Sequence, residues 1–166
     1  MKIWTLFFVL LATVSLAQST NENVKPTTLI LIRHAERGND GSNDPPLSEE
    51  GTNRSARLVE TLKNTGITAI YSTDYKRTRN TVAPLAQAKS LEVKLYEPMK
   101  EEEIKQIINQ NRGGTILICG HSNTTPWTAN YLTGEKLENF KDTDYGNILI
   151  VTFWNFASTS LTRLNY

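Results

Sequence analysis

The stretch Thr27-Thr28-Leu29-Ile30-Leu31-Ile32-Arg33-His34 decides the fold class. Residues 27–32 run with almost no polar break and then stop abruptly at Arg33 and His34. A strand with one wet face would alternate apolar and polar side chains. A near-continuous apolar run suits a strand in a parallel sheet covered by helices on both faces. The charged residues that follow stand at its carboxyl end, where open α/β sheets bind their ligands.

Outward from this strand, hydrophobic runs alternate with helical patterns. Residues 38–46, rich in Gly, Asn, Asp and Pro, read as a loop. Ser48 is placed to cap a helix, with Glu49 and Glu50 in its first turn where the helix dipole favours negative charge. Ala56, Val59 and Leu62 follow helical spacing with Leu58 beside them, and Gly66 ends the helix. Residues 67–72 read as a second strand. Residues 75–89 read as a helix with Val82, Leu85 and Ala86 on one face and a bend at Pro84.

A third strand is expected at residues 91–95, a helix at 101–111 with Ile104, Ile107 and Ile108 facing inward, and a fourth strand at 115–119. A short helix at 126–132 and two closing strands at 148–153 and 160–164, paired as an edge hairpin, complete the chain. The alternation predicts a three-layer α/β/α sandwich with a mostly parallel central sheet. No repeat or long linker divides residues 18–166, which are expected to form a single domain.

Residues 1–17 are expected to be a cleavable signal peptide. Lys2 precedes an apolar run over residues 3–14, and Ser15-Leu16-Ala17 supplies small residues for cleavage after Ala17. The run is shorter than the ~20 residues of a spanning helix, so stable membrane insertion after cleavage is not expected. Export places the mature protein in the periplasm or outside the cell. The 18 Lys and Arg nearly balance the 17 Asp and Glu. That balance removes any electrostatic reason to expect nucleic acid as a partner.

The single cysteine, Cys119, sits inside an apolar run and reads as a buried small hydrophobe. A cysteine-dependent phosphatase loop needs an Arg six positions on, and Thr125 stands there instead.

Three polar clusters fall at strand ends: Ile32-Arg33-His34-Ala35-Glu36-Arg37, Ser72-Thr73-Asp74-Tyr75-Lys76-Arg77, and Gly120-His121-Ser122-Asn123-Thr124. The only two histidines, His34 and His121, both lie in them, joined by Arg33, Arg37 and Arg77. Arginine binds phosphate oxygens with a planar fork and keeps its charge, and a neutral imidazole nitrogen is a competent nucleophile towards phosphorus. The combination points to a phosphoryl group as ligand. Singly, Arg33 and Arg37 could instead pair with Glu36, Asp40 or Asp44, and Lys76 and Arg79 read as the solvated face of their helix. The two histidines lack the spacing of a zinc site, and arginine neighbours would repel a cation, so neither a metal nor another cofactor is expected.

These blocks resemble the histidine phosphatase superfamily, also called phosphoglycerate-mutase-like. Leu31-Ile32-Arg33-His34-Ala35-Glu36 is similar to its Arg-His-Gly-Glu signature, with Ala35 in place of the glycine. The segments at 72–81 and 120–124 are similar to its second and third blocks, in the same order. The resemblance implies that His34 carries the phosphoryl group during turnover. It also implies that Arg33, Arg37 and Arg77 hold the phosphoryl oxygens, and that His121 completes the pocket as a charged donor. His34 must then be neutral, with its other ring nitrogen bonded to a backbone carbonyl.

The implied substrate is a phosphorylated small molecule or phosphoprotein, hydrolysed as a phosphomonoester or as phosphohistidine. A phosphomutase and a catalytically weak phosphate- or phosphoprotein-binding module are the alternatives. The acid that protonates the leaving oxygen in larger relatives has no evident counterpart; Glu97, Glu101, Glu102 and Asp144 are candidates by location.

Overall fold

The computed structural model describes residues 25–155 and 158–166. The expected signal peptide at residues 1–17 lies outside the described residues. The elements run β1 (Thr27–Arg33), α1 (Glu49–Leu62), β2 (Ile67–Ser72), α2 (Lys76–Ala88), β3 (Val93–Leu95), α3 (Glu101–Gln110), β4 (Thr115–Gly120), α4 (Thr124–Thr133), β5 (Asn147–Asn155) and β6 (Ser158–Asn165). The described strands form one six-stranded sheet of order β3-β2-β4-β1-β5-β6. The pairs β3–β2, β2–β4 and β4–β1 are parallel, whereas β5 runs antiparallel to β1 and β6 closes the edge as a hairpin with β5.

The uninterrupted hydrophobicity of β1 has the cause its sequence suggests. Leu29 and Leu31 enter the core beneath α3 and α4, with Ile104, Ile107, Ile116 and Ile118. Ile30 and Ile32 enter the opposite core, with Leu58, Leu62, Val82, Leu85 and Cys119. Alternate side chains of one strand thus fill two separate layers, and β4 divides its residues in the same way.

The inward face of α1 differs from the expected one. Ser48 does cap the helix, its Oγ accepting from the Gly51 N–H at 3.1 Å. The buried positions are Gly51, Ser55, Leu58 and Leu62, while Ala56 is exposed and Val59 only half-buried. Small residues rather than apolar ones occupy the first half of that face, because α1 there approaches backbone. A Cβ on Gly51 would stand 2.1 Å from the Glu36 carbonyl oxygen.

Ser55 answers a defect in α2, which runs unbroken through Pro84. Proline has no N–H to give the carbonyl four residues back, that of Asn80. The Ser55 hydroxyl lies 3.2 Å from the Asn80 oxygen and 2.8 Å from that of Thr81. β3 is shorter than expected, since only three residues pair with β2 at the sheet edge. α4 begins two residues before Pro126, whose ring is tolerated in a first turn where N–H groups lack helical partners. It ends at Gly134, in the left-handed conformation with φ +74°.

Strand order now places the site. β2, β4 and β1 lie side by side and parallel, so their carboxyl ends bring the three polar clusters to one edge of the sheet.

Candidate active site

His34 follows β1 directly, and its N–H donates to the Gly120 carbonyl at 2.9 Å, continuing the ladder with β4. The side chain is 5% exposed. Its Nδ1 lies 2.7 Å from the Ala35 carbonyl oxygen, which can only accept. The proton therefore sits on Nδ1, and the Nε2 lone pair is free. Burial is the main cause pushing the His34 pKa down to about 3; the Ala35 bond opposes this, and His121, Arg33 and Arg77 add to it. The imidazole is neutral across the physiological range, the state that the expected nucleophilic role requires. Ala35 donates its own N–H to Thr81 Oγ1 at 2.9 Å, and Thr81 Oγ1 donates to the Arg77 carbonyl at 2.7 Å. Thr81 thereby fixes the segment carrying His34 to α2, a role that no local feature of its sequence announces.

His121 follows β4, its ring centroid 5.3 Å from that of His34. Its Nε2 is 2.9 Å from Thr73 Oγ1. Thr73 gives its own hydroxyl proton to Thr78 Oγ1 at 3.0 Å, so His121 is the donor in this contact and its Nδ1 is left for a ligand. Burial first, then Arg77 and Arg33, push the His121 pKa down to about 4. The charged donor expected from the sequence is therefore a neutral imidazole in this structure, because its surroundings are both dry and cationic.

Arg33 is 4% exposed. Its Nη1 donates to the carbonyls of Lys141 at 2.7 Å and Asp142 at 3.2 Å, and its guanidinium lies 4.1 Å from the centre of the Tyr145 ring. Its Nε–H is buried without a hydrogen-bond partner. An orphaned buried donor costs about 1–3 kcal/mol, which an anionic oxygen arriving beside it would offset. Arg77 lies 4.3 Å from the centre of the Tyr75 ring, with one long contact of 3.5 Å to Asp44. Arg37 is exposed at the rim and makes no ion pair among the described residues.

The surface ion pairs entertained for Arg33 and Arg37 do not form. Glu36 pairs instead with Arg54 at 2.6 Å, Asp40 accepts from Ser42 at 2.7 Å, and Asp44 caps α2 by accepting the Lys76 N–H at 3.0 Å. Arg79 turns outward to Asp74, and neither it nor Lys76 lines the cleft.

His34, His121, Arg33, Arg37 and Arg77 all line one cleft of ≈ 560 Å³. The five residues singled out from sequence thus converge. The four candidate acids do not: Glu97 pairs with Lys100, Glu101 and Glu102 with Lys105, Asp144 accepts the Lys141 N–H at 3.2 Å, and none lines the cleft. Asp142 does, and it is the only carboxylate to do so among the described residues. Among those residues no group of three or more His, Cys, Asp or Glu side chains is placed to hold a metal ion. Cys119 is fully buried, its thiol pushed up by burial, and is no rival nucleophile.

The profile of the histidine phosphatase superfamily (branch 1) matches residues 29–104, which include His34, Arg33, Arg37 and Arg77. Over that stretch the chain is similar to the histidine phosphatase superfamily. It is 39% identical over 85 residues to phosphoserine phosphatase 1 of Hydrogenobacter thermophilus, covering 48% of this chain and 38% of that protein. It is 35% identical over 77 residues to a probable phosphoglycerate mutase GpmB of Escherichia fergusonii, covering 43% of this chain and 36% of that one. These matches span less than half the length of either relative.

Among solved structures, the protein histidine phosphatase SixA complexed with tungstate superposes with a TM-score of 0.69 at 16% identity, over 83% of this chain and 96% of that one. Phosphoserine phosphatase of Entamoeba histolytica in complex with 3-phosphoglyceric acid superposes with a TM-score of 0.60 at 20% identity, over 84% and 97%. Both likenesses are of fold, the three-layer α/β architecture described above.

The two depressed histidines have a consequence for stability. An unfolded histidine takes up its proton near pH ~6.5. The folded ones do so only near 3 and 4. Between these limits the unfolded chain binds more protons, so stability is full above about pH 6.5 and is lost progressively as pH falls. The melting temperature is expected to drop from about pH 7 to about pH 5, more steeply than in His121→Asn, which removes one of the two groups. A wild-type profile flat over that interval would contradict the buried, neutral state of both rings.

Proposed function

We propose that this protein is a phosphatase that hydrolyses phosphomonoesters, or phosphohistidine, through a covalent phosphohistidine on His34 and without a metal ion. The observation that carries the reading is the His34 ring itself. It is buried, neutral and fixed by Ala35, with Nε2 unbonded inside a cleft that also holds His121 and three arginines. Phosphoryl transfer asks a protein chiefly to position the groups and to stabilise charge on the equatorial oxygens. Arg33, Arg37 and Arg77 would contact those oxygens while Nε2 attacks in line, and His121 would join them through Nδ1 once that nitrogen takes a proton alongside the incoming dianion. Nε2 forms a bond to phosphorus, the phosphorus–oxygen bond to the leaving group breaks, and water then hydrolyses the phosphohistidine.

The relative named phosphoserine phosphatase 1, 39% identical over the matched residues, supports the phosphatase reading. The proposal includes export by the signal at residues 1–17, leaving residues 18–166 as one domain whose substrate is a phosphorylated small molecule or phosphoprotein met outside the cytoplasm.

The test is turnover of p-nitrophenyl phosphate with and without EDTA, followed by alkaline quench of the enzyme during turnover. EDTA-resistant hydrolysis with an alkali-stable, acid-labile phosphoenzyme is the expected result. Activity abolished by EDTA would overturn the metal-free mechanism. Phosphate binding with no phosphoenzyme and no turnover would make the chain a binding module.

A further inference from the structure

The proposed reaction has every group it needs except a proton for the leaving oxygen. Arg33, Arg37 and Arg77 neutralise charge and keep their own protons. The proton on His34 is bonded to the Ala35 carbonyl, and that on His121 to Thr73. We infer that Asp142, in the loop between α4 and β5, is the proton donor to the leaving group; the inference rests on the phosphatase reading above.

Three observations converge on this residue. Asp142 is the only carboxylate among the described residues that lines the cleft holding both histidines. Its side chain is exposed and makes no hydrogen bond or ion pair among those residues, so the carboxylate is free to meet a ligand. Its backbone, by contrast, is held. The carbonyls of Lys141 and Asp142 accept from Arg33 Nη1 at 2.7 and 3.2 Å, and Tyr145 lies under the same guanidinium at 4.1 Å. Arg33 therefore sets the position of the loop while serving the phosphoryl group, which ties the acid to the reacting centre.

The proton balance closes over one cycle. As the His34 Nε2–phosphorus bond forms and the phosphorus–oxygen bond breaks, the carboxyl of Asp142 gives its proton to the departing oxygen. The resulting carboxylate then takes a proton from the water that attacks the phosphohistidine. Nε2 leaves with its lone pair, and the enzyme returns to its starting state with inorganic phosphate released.

The test is the dependence of kcat/KM on the leaving group for the full chain, Asp142→Asn and Tyr145→Phe, with phenyl phosphate as the poor leaving group and 2,4-dinitrophenyl phosphate as the good one. kcat/KM reports only the steps through departure of the alcohol, so any role with water drops out. Asp142→Asn leaves the backbone carbonyl on Arg33 in place. It is expected to lower kcat/KM for phenyl phosphate about 10²–10³-fold, the usual weight of general acid catalysis, and for the dinitrophenyl ester only about threefold or less. Asp142→Glu should recover part of the loss on phenyl phosphate.

An equal fall on both esters would make Asp142 a positioning residue and overturn the inference. So would an unchanged phenyl ester rate in Asp142→Asn, or a leaving-group-dependent loss in Tyr145→Phe alone. A wild-type enzyme inert on every ester, forming no phosphoenzyme, would remove the phosphatase reading itself and this inference with it.

Discussion

His34→Ala is expected to lower turnover of an aryl phosphate by about 10⁴-fold or more, with no phosphoenzyme trapped at any time. Neither Cys119 nor the Nε2 of His121 can take over the attack. Cys119 is fully buried with its thiol pushed up by burial, and His121 directs its Nε2 away from the cleft into Thr73. The variant should still fold, since it deletes a ring whose neutral burial is a liability in acid, and its melting temperature should fall less than the wild type's below about pH 6. It should also still bind vanadate or inorganic phosphate through the three arginines, seen as a thermal shift that saturates with ligand. Turnover within tenfold of wild type would mean that the nucleophile is another group, and the reading of the site would fail.

Much of this arrangement was legible in the chain before its structure. β1, β2 and β4 are readable because strands buried on both faces need no alternation, and such runs are conspicuous. The clusters at their ends are readable because charged and imidazole side chains stop those runs abruptly. Even the bond from His34 to a backbone carbonyl follows from requiring a neutral nucleophile. What escaped is whatever depends on partners distant in sequence. Arg33 finds its acceptors in the loop at residues 141–142, more than a hundred positions away. The charge state of His121 is set by burial and by Arg77 and Arg33 together, whereas the resemblance implied a charged donor. Asp142 stands in a polar loop with nothing local to separate it from Asp144, whose carboxylate meets the Lys141 amide instead.

The face of α1 escaped for a different reason, and it carries the largest expected effect on stability. Apolar spacing selects positions that gain from burial, whereas Gly51 is buried because nothing larger fits. Its missing Cβ would sit 2.1 Å from the Glu36 oxygen, 3.0 Å from the Glu36 carbon and 3.1 Å from the Glu36 nitrogen. All three are backbone atoms, so no side-chain rotation relieves the contact. That oxygen also accepts the Ser48 N–H at 2.9 Å, which fixes the start of the helix.

Gly51→Ala gains roughly 1 kcal/mol from helix propensity. Forcing two backbones apart costs about 1–3 kcal/mol, and a contact this short lies at or beyond the upper end of that range. The clash outweighs the propensity, leaving a net loss of about 2 kcal/mol, or roughly 4–8 °C in melting temperature. Glu36 stands between Ala35, which holds the His34 Nδ1 proton, and Arg37. Moving it should therefore lower phosphatase turnover at temperatures where the variant remains folded.

Gly66→Ala is the matched control, since nothing lies within 4 Å of its added Cβ. That change should leave both properties unaltered or raise stability slightly by restricting the unfolded chain. If Gly51→Ala and Gly66→Ala melted together, the close approach of α1 to Glu36 would not be what sets this edge of the site.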